Sequence, residues 1–195
     1  MRRKAFDTLL TTGGLVLAIV LLVAGGLLMW GHNFANSNVR SQLAQQQITF
    51  PASGSPALAS PKIGPYLNQY AGQQLLTGQE AKAYADHFIA VHLSEMPYGG
   101  VYAKVSAAAQ ADPTNQTLKA QVATIFQGTT LRGLLLEAYA FWEMGQIALI
   151  ASICSFVLAG VMLVFSALGF WHVRKVSPQE EFLAKPAATA RPVMA

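Results

Sequence analysis

His87, His92 and Glu95 are the residues in this chain whose types best fit a metal site, since two imidazoles and a carboxylate hold non-haem iron or zinc in many proteins. Their spacing works against it. At about 100° per residue, five positions turn the helix by roughly 140°, so the two histidines of one helix cannot converge on one ion. His92 and Glu95 are closer, but two ligands do not make a site. His92 lies beside Phe88, Ile89 and Leu93 and reads as a buried histidine bonded to a backbone carbonyl. His87, next to Asp86, reads as solvated. His32 and His172 lie at the ends of apolar runs and suit interfacial positions. Catalytic, cofactor and metal residues are therefore expected to be none.

No GxSxG, HExxH, phosphate-loop or dinucleotide glycine pattern occurs in the sequence. Asn115-Gln116-Thr117 is a formal glycosylation sequon, which matters only in a glycosylating pathway. Cys154, the single cysteine, falls in an apolar run, so the rest of the chain has no thiol for an internal disulfide or a cysteine metal cage.

The element carrying these residues is an amphipathic helix over 81–96. Thr77 and Glu80 form the pattern of a capping box at its start, and Tyr84, Ala85, Phe88, Ile89, Leu93 and Met96 make one apolar stripe. Tyr84, Phe88 and His92 are the candidate ligand or partner face. Upstream, a polar stretch with Val39 and Leu43 continues the first apolar run as a stalk to about Ile48. Pro51, Gly54, Pro56, Pro61, Gly64 and Pro65 then predict an extended linker near 50–65, followed by a short helix over 66–76. Val101 to Ala111 is helix-compatible, and Asp112-Pro113 interrupts it. A helix over 114–126 is expected to stop at Gly128, with Thr129 or Thr130 capping a final long helix.

Two segments hold the hydrophobicity. The 195-residue chain is 53% hydrophobic and 11% charged, too apolar for an ordinary soluble domain. Thr8 to Gly31 and Met144 to Trp171 carry no charge. A helix rises about 1.5 Å per residue and the hydrocarbon core is about 30 Å thick, so each is long enough to cross once. No acidic or basic residue marks an ion pathway in either. The first run is read as an anchor, although Ala35-Asn36-Ser37 after it offers a signal-cleavage alternative. Gly14 with Ala18, and Ala151 with Ser155 and Ala159, put small residues on one face at four-residue spacing and are the candidate helix-packing positions.

Basic residues sit on the tails. Arg2, Arg3 and Lys4 precede the first run, and Arg174, Lys175, Lys185 and Arg191 follow the second. The stretch between balances six basic residues against six acidic. Both ends are therefore expected in the cytoplasm. Basic residues so divided make no nucleic-acid patch, and no nucleic-acid partner is expected. Trp30, Phe141, Trp142, Phe170 and Trp171 suit membrane interfaces.

Ile63-Gly64-Pro65-Tyr66, Ala90-Val91-His92-Leu93, Gly99-Gly100-Val101-Tyr102 and Phe126-Gln127-Gly128-Thr129-Thr130-Leu131-Arg132-Gly133, leading into the second apolar run, resemble a family of actinobacterial two-span membrane proteins. The resemblance covers nearly the whole chain apart from the last tail. Members of that family carry the label aromatic ring-opening dioxygenase, LigA. The resemblance implies a membrane protein of unassigned function, and it carries over no catalytic residue.

The expected fold is an all-α membrane protein, with two transmembrane helices flanking a small extracytoplasmic helical domain. Its segments are a cytoplasmic tail over 1–8, spans over 9–31 and 145–171, a mainly helical domain over 32–144, and a disordered cytoplasmic tail over 172–195. The expected role is a non-enzymatic accessory or scaffold protein of the cell membrane, with the bilayer and a membrane protein or a second copy as partners and no cofactor. An extracytoplasmic module for a lipid or other apolar ligand is the alternative, and a metal-dependent dioxygenase ranks last.

Overall fold

The computed structural model of the chain describes residues 3–175 and has an all-α fold. Of the expected disordered tail over 172–195, residues 172–175 are the helical end of α7, and the rest lies outside the described residues, as do Met1 and Arg2. Two long helices frame the sequence: α1 (Arg3–Gln46) and α7 (Gln116–Lys175). Between them run α2 (Pro56–Ala59), α3 (Gly64–Leu67), α4 (Gly78–Tyr84), α5 (Ala90–Ser94) and α6 (Tyr102–Ala111). The chain divides into two compact units, one made of 1–29 with 150–195 and the other of 30–149.

In the first unit α1 and α7 pair along small residues. Thr11, Ala18 and Gly25 are buried on α1, and Ser152, Ala159, Ser166 and Val173 on α7. The spacing within each set is seven residues, the repeat that keeps one seam facing a partner helix in a left-handed pair. Small side chains let the backbones approach. Ser152 Oγ, fully buried, donates to the Gly25 carbonyl at 2.8 Å across the pair. A Cβ on Gly14 would lie 2.9 Å from Ser166 Oγ.

Of the expected packing positions, Ala18 and Ala159 are fully buried, whereas Gly14, Ala151 and Ser155 are half-buried. The seam follows a seven-residue repeat rather than a four-residue one, so on α7 the buried position is Ser152 and not Ala151.

The second unit has a core of Val39 and Leu43 from α1, Leu135 from α7, and Phe50, Leu58, Ile63, Leu67, Leu75, Ala81, Ala85 and Ile89 between them. α1 ends where Gln47 takes a left-handed φ of 53°. The chain then folds back on itself. Phe50 N donates to Gln73 O and Leu75 N to Ile48 O, both at 2.9 Å, forming one isolated antiparallel bridge between Thr49 and Gln74.

This bridge closes a loop over 51–72, which takes in the extended linker that the sequence predicts near 50–65. The loop is instead compact. Its prolines start the single turns α2 and α3, and its apolar residues Leu58, Ile63 and Leu67 are buried. Punctuation by proline is compatible with either outcome, and burial of those three side chains decides it. Gly64 packs so close to the Leu58 carbonyl that a side chain there would collide with it. The helix expected over 66–76 is only α3 and a tight turn through Tyr70, after which the chain is extended into the bridge.

α4 opens with the capping box. Glu80 N donates to Thr77 Oγ1 at 3.3 Å, and Glu80 Oε2 accepts from the backbone of Thr77 and Leu76 at 2.8 and 2.7 Å. A single π turn over Ala85–Ile89 joins α4 to α5, with Ala90 N donating to Ala85 O. One residue is thereby inserted into the helical register.

At the other end Tyr98, Gly99 and Gly100 all have positive φ, and a side chain on Gly100 would strike the Leu93 carbonyl. α6 follows and buries Val105. Asn115 Oδ1 caps α7 by accepting from Leu118 N at 3.0 Å. The expected break at Gly128, with a fresh cap at Thr129 or Thr130, does not occur. Gly128 is helical and makes room for Leu93, whose Cδ2 would lie 2.9 Å from an added Cβ. Its missing side chain serves packing rather than a left-handed stop.

Candidate functional site

Three arrangements in the described residues gather polar or aromatic groups, and each is positioned by the helices just given. The first is a row of rings. Phe50 meets Tyr84 edge-on at 5.4 Å and Tyr70 at 5.1 Å, Tyr84 stacks on Phe88 at 4.7 Å, and Phe88 lies 4.5 Å from His92. Tyr84 and Phe88 are half-buried, and burial raises the Tyr84 phenol above its ordinary pKa. The candidate face of Tyr84, Phe88 and His92 is thus one row of touching rings, already met at its inner end by Phe50.

His92 itself is exposed, not buried as its place in the apolar stripe predicts. Its Nδ1 does bond a backbone carbonyl, Phe88 O, at 2.7 Å. The extra residue of the π turn moves everything after it around the axis, which no periodicity count on an ideal helix includes. His87 is not free in solvent either. Its ring lies flat on Tyr66, with centroids 3.6 Å apart and 4° between planes. Glu95 faces Lys62 at 3.9 Å, and both are exposed. Among the described residues no group of three or more His, Cys, Asp or Glu is placed to hold a metal ion, so His87, His92 and Glu95 are not brought together.

The second arrangement centres on Asp86, in the same π turn. Asp86 accepts from Lys82 Nζ at 2.5 Å through one oxygen and from Arg132 Nη2 at 3.0 Å through the other. Lys82 also lies over the Tyr139 ring. The pair to Arg132 ties α7 to the helix carrying the rings. Partial burial alone raises the Asp86 carboxyl. The hydrogen bonds and charges of Lys82 and Arg132 outweigh it, leaving the pKa below its ordinary value. Lys82 is raised in turn, chiefly by its hydrogen bond to Asp86. A carboxylate held ionised between two cations is a structural clamp and a poor proton acceptor.

A carboxylate with a lowered folded pKa stabilises the protein above its unfolded pKa of about 3.9, and that contribution is lost as pH falls through the lower folded value. The raised Lys82 contributes below about pH 10 and loses its contribution on the alkaline side. We therefore expect the thermal midpoint of the full chain in detergent, followed by near-ultraviolet circular dichroism, to drop on acidification below about pH 4. Asp86→Asn should show a smaller acid drop and a lower midpoint at neutral pH. Identical acid limbs in the two proteins would show that Asp86 is not the clamp. The effect is modest, because Lys82 and Arg132 are both more than a third exposed and their charges are screened.

The third arrangement is a half-open groove of about 330 Å³ between the Asn38–Gln46 stretch of α1 and the Leu131–Phe141 stretch of α7. Val39, Leu43 and Leu135 form its floor, and Asn38, Gln42, Gln46 and Glu137 stand at its rim. Leu134 and Phe141 line it and remain exposed. Below it His32 Nδ1 donates to Gly145 O at 2.8 Å, leaving Nε2 to accept from Asn36 Nδ2 at 3.0 Å, and Gln146 donates to Asn36 Oδ1 at 3.3 Å. His32 is therefore a clasp between the helices. The four-residue step from His32 to Asn36 was visible in the sequence, but their partners, about 110 positions away, were not.

Comparison of the chain with family models, with curated proteins and with solved structures gives no match in any of the three.

Proposed function

We propose that this chain is a two-pass membrane protein with both ends in the cytoplasm, and that its helical unit between the spans is a non-enzymatic scaffold that docks on a membrane protein partner at the outer face. The observation that carries the membrane part is what the apolar helices do with their side chains. The most apolar eighteen-residue windows of α1 and α7 have mean hydropathies of 2.4 and 2.7, yet only 11% of each window is buried. Val20, Ile150 and Phe165 are all more than half exposed.

A core helix of a soluble protein hides such residues. In water each exposed side chain forgoes about 25 cal/mol for every Å² of apolar area left uncovered, whereas lipid covers it without a protein partner. The orientation rests on charge: Lys4 with the two arginines before it, and Arg174 with Lys175, flank the spans on one side.

The scaffold part rests on the groove between Asn38–Gln46 and Leu131–Phe141. It joins an apolar floor to an amide-bearing rim, the composition of a surface that takes another helix or loop. The rings of Tyr84 and Phe88 favour the apolar-ligand alternative less, since they are spent on each other and on Phe50. The dioxygenase reading gains no support from His87, His92 or Glu95.

The test uses the full chain in native membranes, with a photo-crosslinking residue at Gln42 or Leu134 and a control at exposed Lys119. A discrete adduct from the groove positions only, together with resistance of the chain to alkaline extraction, supports the proposal. Alkaline extraction of the chain overturns the membrane reading. Adducts equal at all three positions, or none, overturn the scaffold.

A further inference from the structure

The membrane-facing pair holds a second groove, of about 600 Å³, opening sideways between the start of α1 and the end of α7. Leu10, Gly13 and Leu17 line it from α1, and Phe165, Ser166 and Gly169 from α7. Its lining is apolar except for two hydroxyls, that of Thr11, which donates to Asp7 O at 2.7 Å, and that of Ser166. Ser166 is only 4% exposed, and its Oγ is buried with no hydrogen-bond partner among the described residues. A buried hydroxyl is costly unless something accepts from it, and no water is available to do so in hydrocarbon.

We propose that this groove binds one acyl chain of an anionic glycerophospholipid of the cytoplasmic leaflet, with Ser166 donating to an ester carbonyl. The inference rests on the membrane reading above. Length and charge both select this occupant. From Leu9 to Leu17 the groove runs about 12 Å along α1, close to the roughly 15 Å depth of one leaflet. Five residues before Leu9 stands Lys4, and five after Gly169 stands Arg174, followed by Lys175, which lies 3.8 Å over the Trp171 ring. An indole under an ammonium marks the headgroup level. Among the described residues Asp7, 4.0 Å from His172 Nε2, is the one carboxylate at this end of the pair, so basic charge predominates among them and fits a phosphate without a compensating choline.

Gly13 offers the discriminating variant. It lines the groove, and a Cβ on it would meet nothing within 4 Å, so Gly13→Leu fills the space without disturbing the seam. The full chain would be purified in mild detergent, titrated with phosphatidylglycerol or phosphatidylcholine, and read by native mass spectrometry.

We expect the first bound phosphatidylglycerol to be lost about tenfold in Gly13→Leu through steric filling, and weakened about threefold in Ser166→Ala through the lost hydrogen bond. Each of Lys4→Gln and Arg174→Gln should cut the preference over phosphatidylcholine about fivefold. Unchanged binding in Gly13→Leu, or equal binding of the two lipids by the native chain, overturns the proposal. So does an oxidised dimer of Gly13→Cys in a Cys154→Ala background, which would put a second copy in the groove. All three outcomes are distinct from loss of the chain on alkaline extraction, which sinks the membrane reading itself.

Discussion

Phe50→Ala is expected to lower the stability of the 30–149 unit by about 3–5 kcal/mol, the usual cost of emptying a buried phenylalanine site. Phe50 is 2% exposed and meets two other rings, and it follows directly on the bridge that closes the 51–72 loop. Removing it opens a void that Tyr70 and Tyr84 cannot fill without leaving their own contacts. The measurement is hydrogen exchange by mass spectrometry on the full chain. Protection of α4 should fall by about a hundredfold or more, since each 1.4 kcal/mol is a factor of ten. Protection of Ala18 to Gly25 in α1 should stay as it was. If α4 protection falls by less than tenfold, the ring row is not the centre of that core.

Ser152→Leu is expected to weaken the pairing of α1 with α7 by about 1–3 kcal/mol through overpacking, with the lost Gly25 hydrogen bond adding a smaller amount. Ser152 has no exposed surface, and the seam at that level is built for a side chain of two heavy atoms. A cysteine pair reports on the pairing. An added Cβ on Gly169 lies 3.3 Å from Thr11 Cβ, just below the usual disulfide spacing of about 3.5–4.5 Å. Thr11→Cys with Gly169→Cys, in a Cys154→Ala background, should oxidise readily within one chain. Adding Ser152→Leu should slow that oxidation about tenfold, and Ser152→Ala should slow it far less. Equal rates for all three proteins would mean that Ser152 does not set the approach of the helices.

Several elements were legible from local chemistry alone. The capping box at Thr77 and Glu80 needs only four consecutive residues, and both of its hydrogen bonds form. The two apolar runs announce themselves by length and lack of charge, and each lies within one unbroken helix. The end of α1 near Ile48 was likewise readable, because the polar stalk stops where the proline-rich stretch begins.

Where the reading failed, a distant partner decided. Gly128 has the composition of a helix stop, but Leu93 occupies the space its side chain would take, so α7 runs through it. The 51–65 stretch has linker composition, but the pairing of Ile48–Phe50 with Gln73–Leu75 closes it and buries Leu58, Ile63 and Leu67. The small residues of the two apolar runs fall at four-residue spacing, the ordinary helical step, but the seam does not follow it. Its seven-residue spacing is set by the partner helix, because a seam must keep facing that partner.

By itself the sequence determined the two long apolar helices and the capping box at Thr77 and Glu80, because hydrophobicity, charge and capping act over a few residues and are indifferent to what lies across the fold. Tertiary structure alone decided which faces meet. It clamped Asp86 between Lys82 and Arg132, laid His87 on Tyr66, turned His92 outward through a π turn that inserts one residue, and left Ser166 buried without an acceptor among the described residues. Each of these depends on groups brought together by packing, and packing energy is a property of surfaces in contact, which no single segment carries in its own residues.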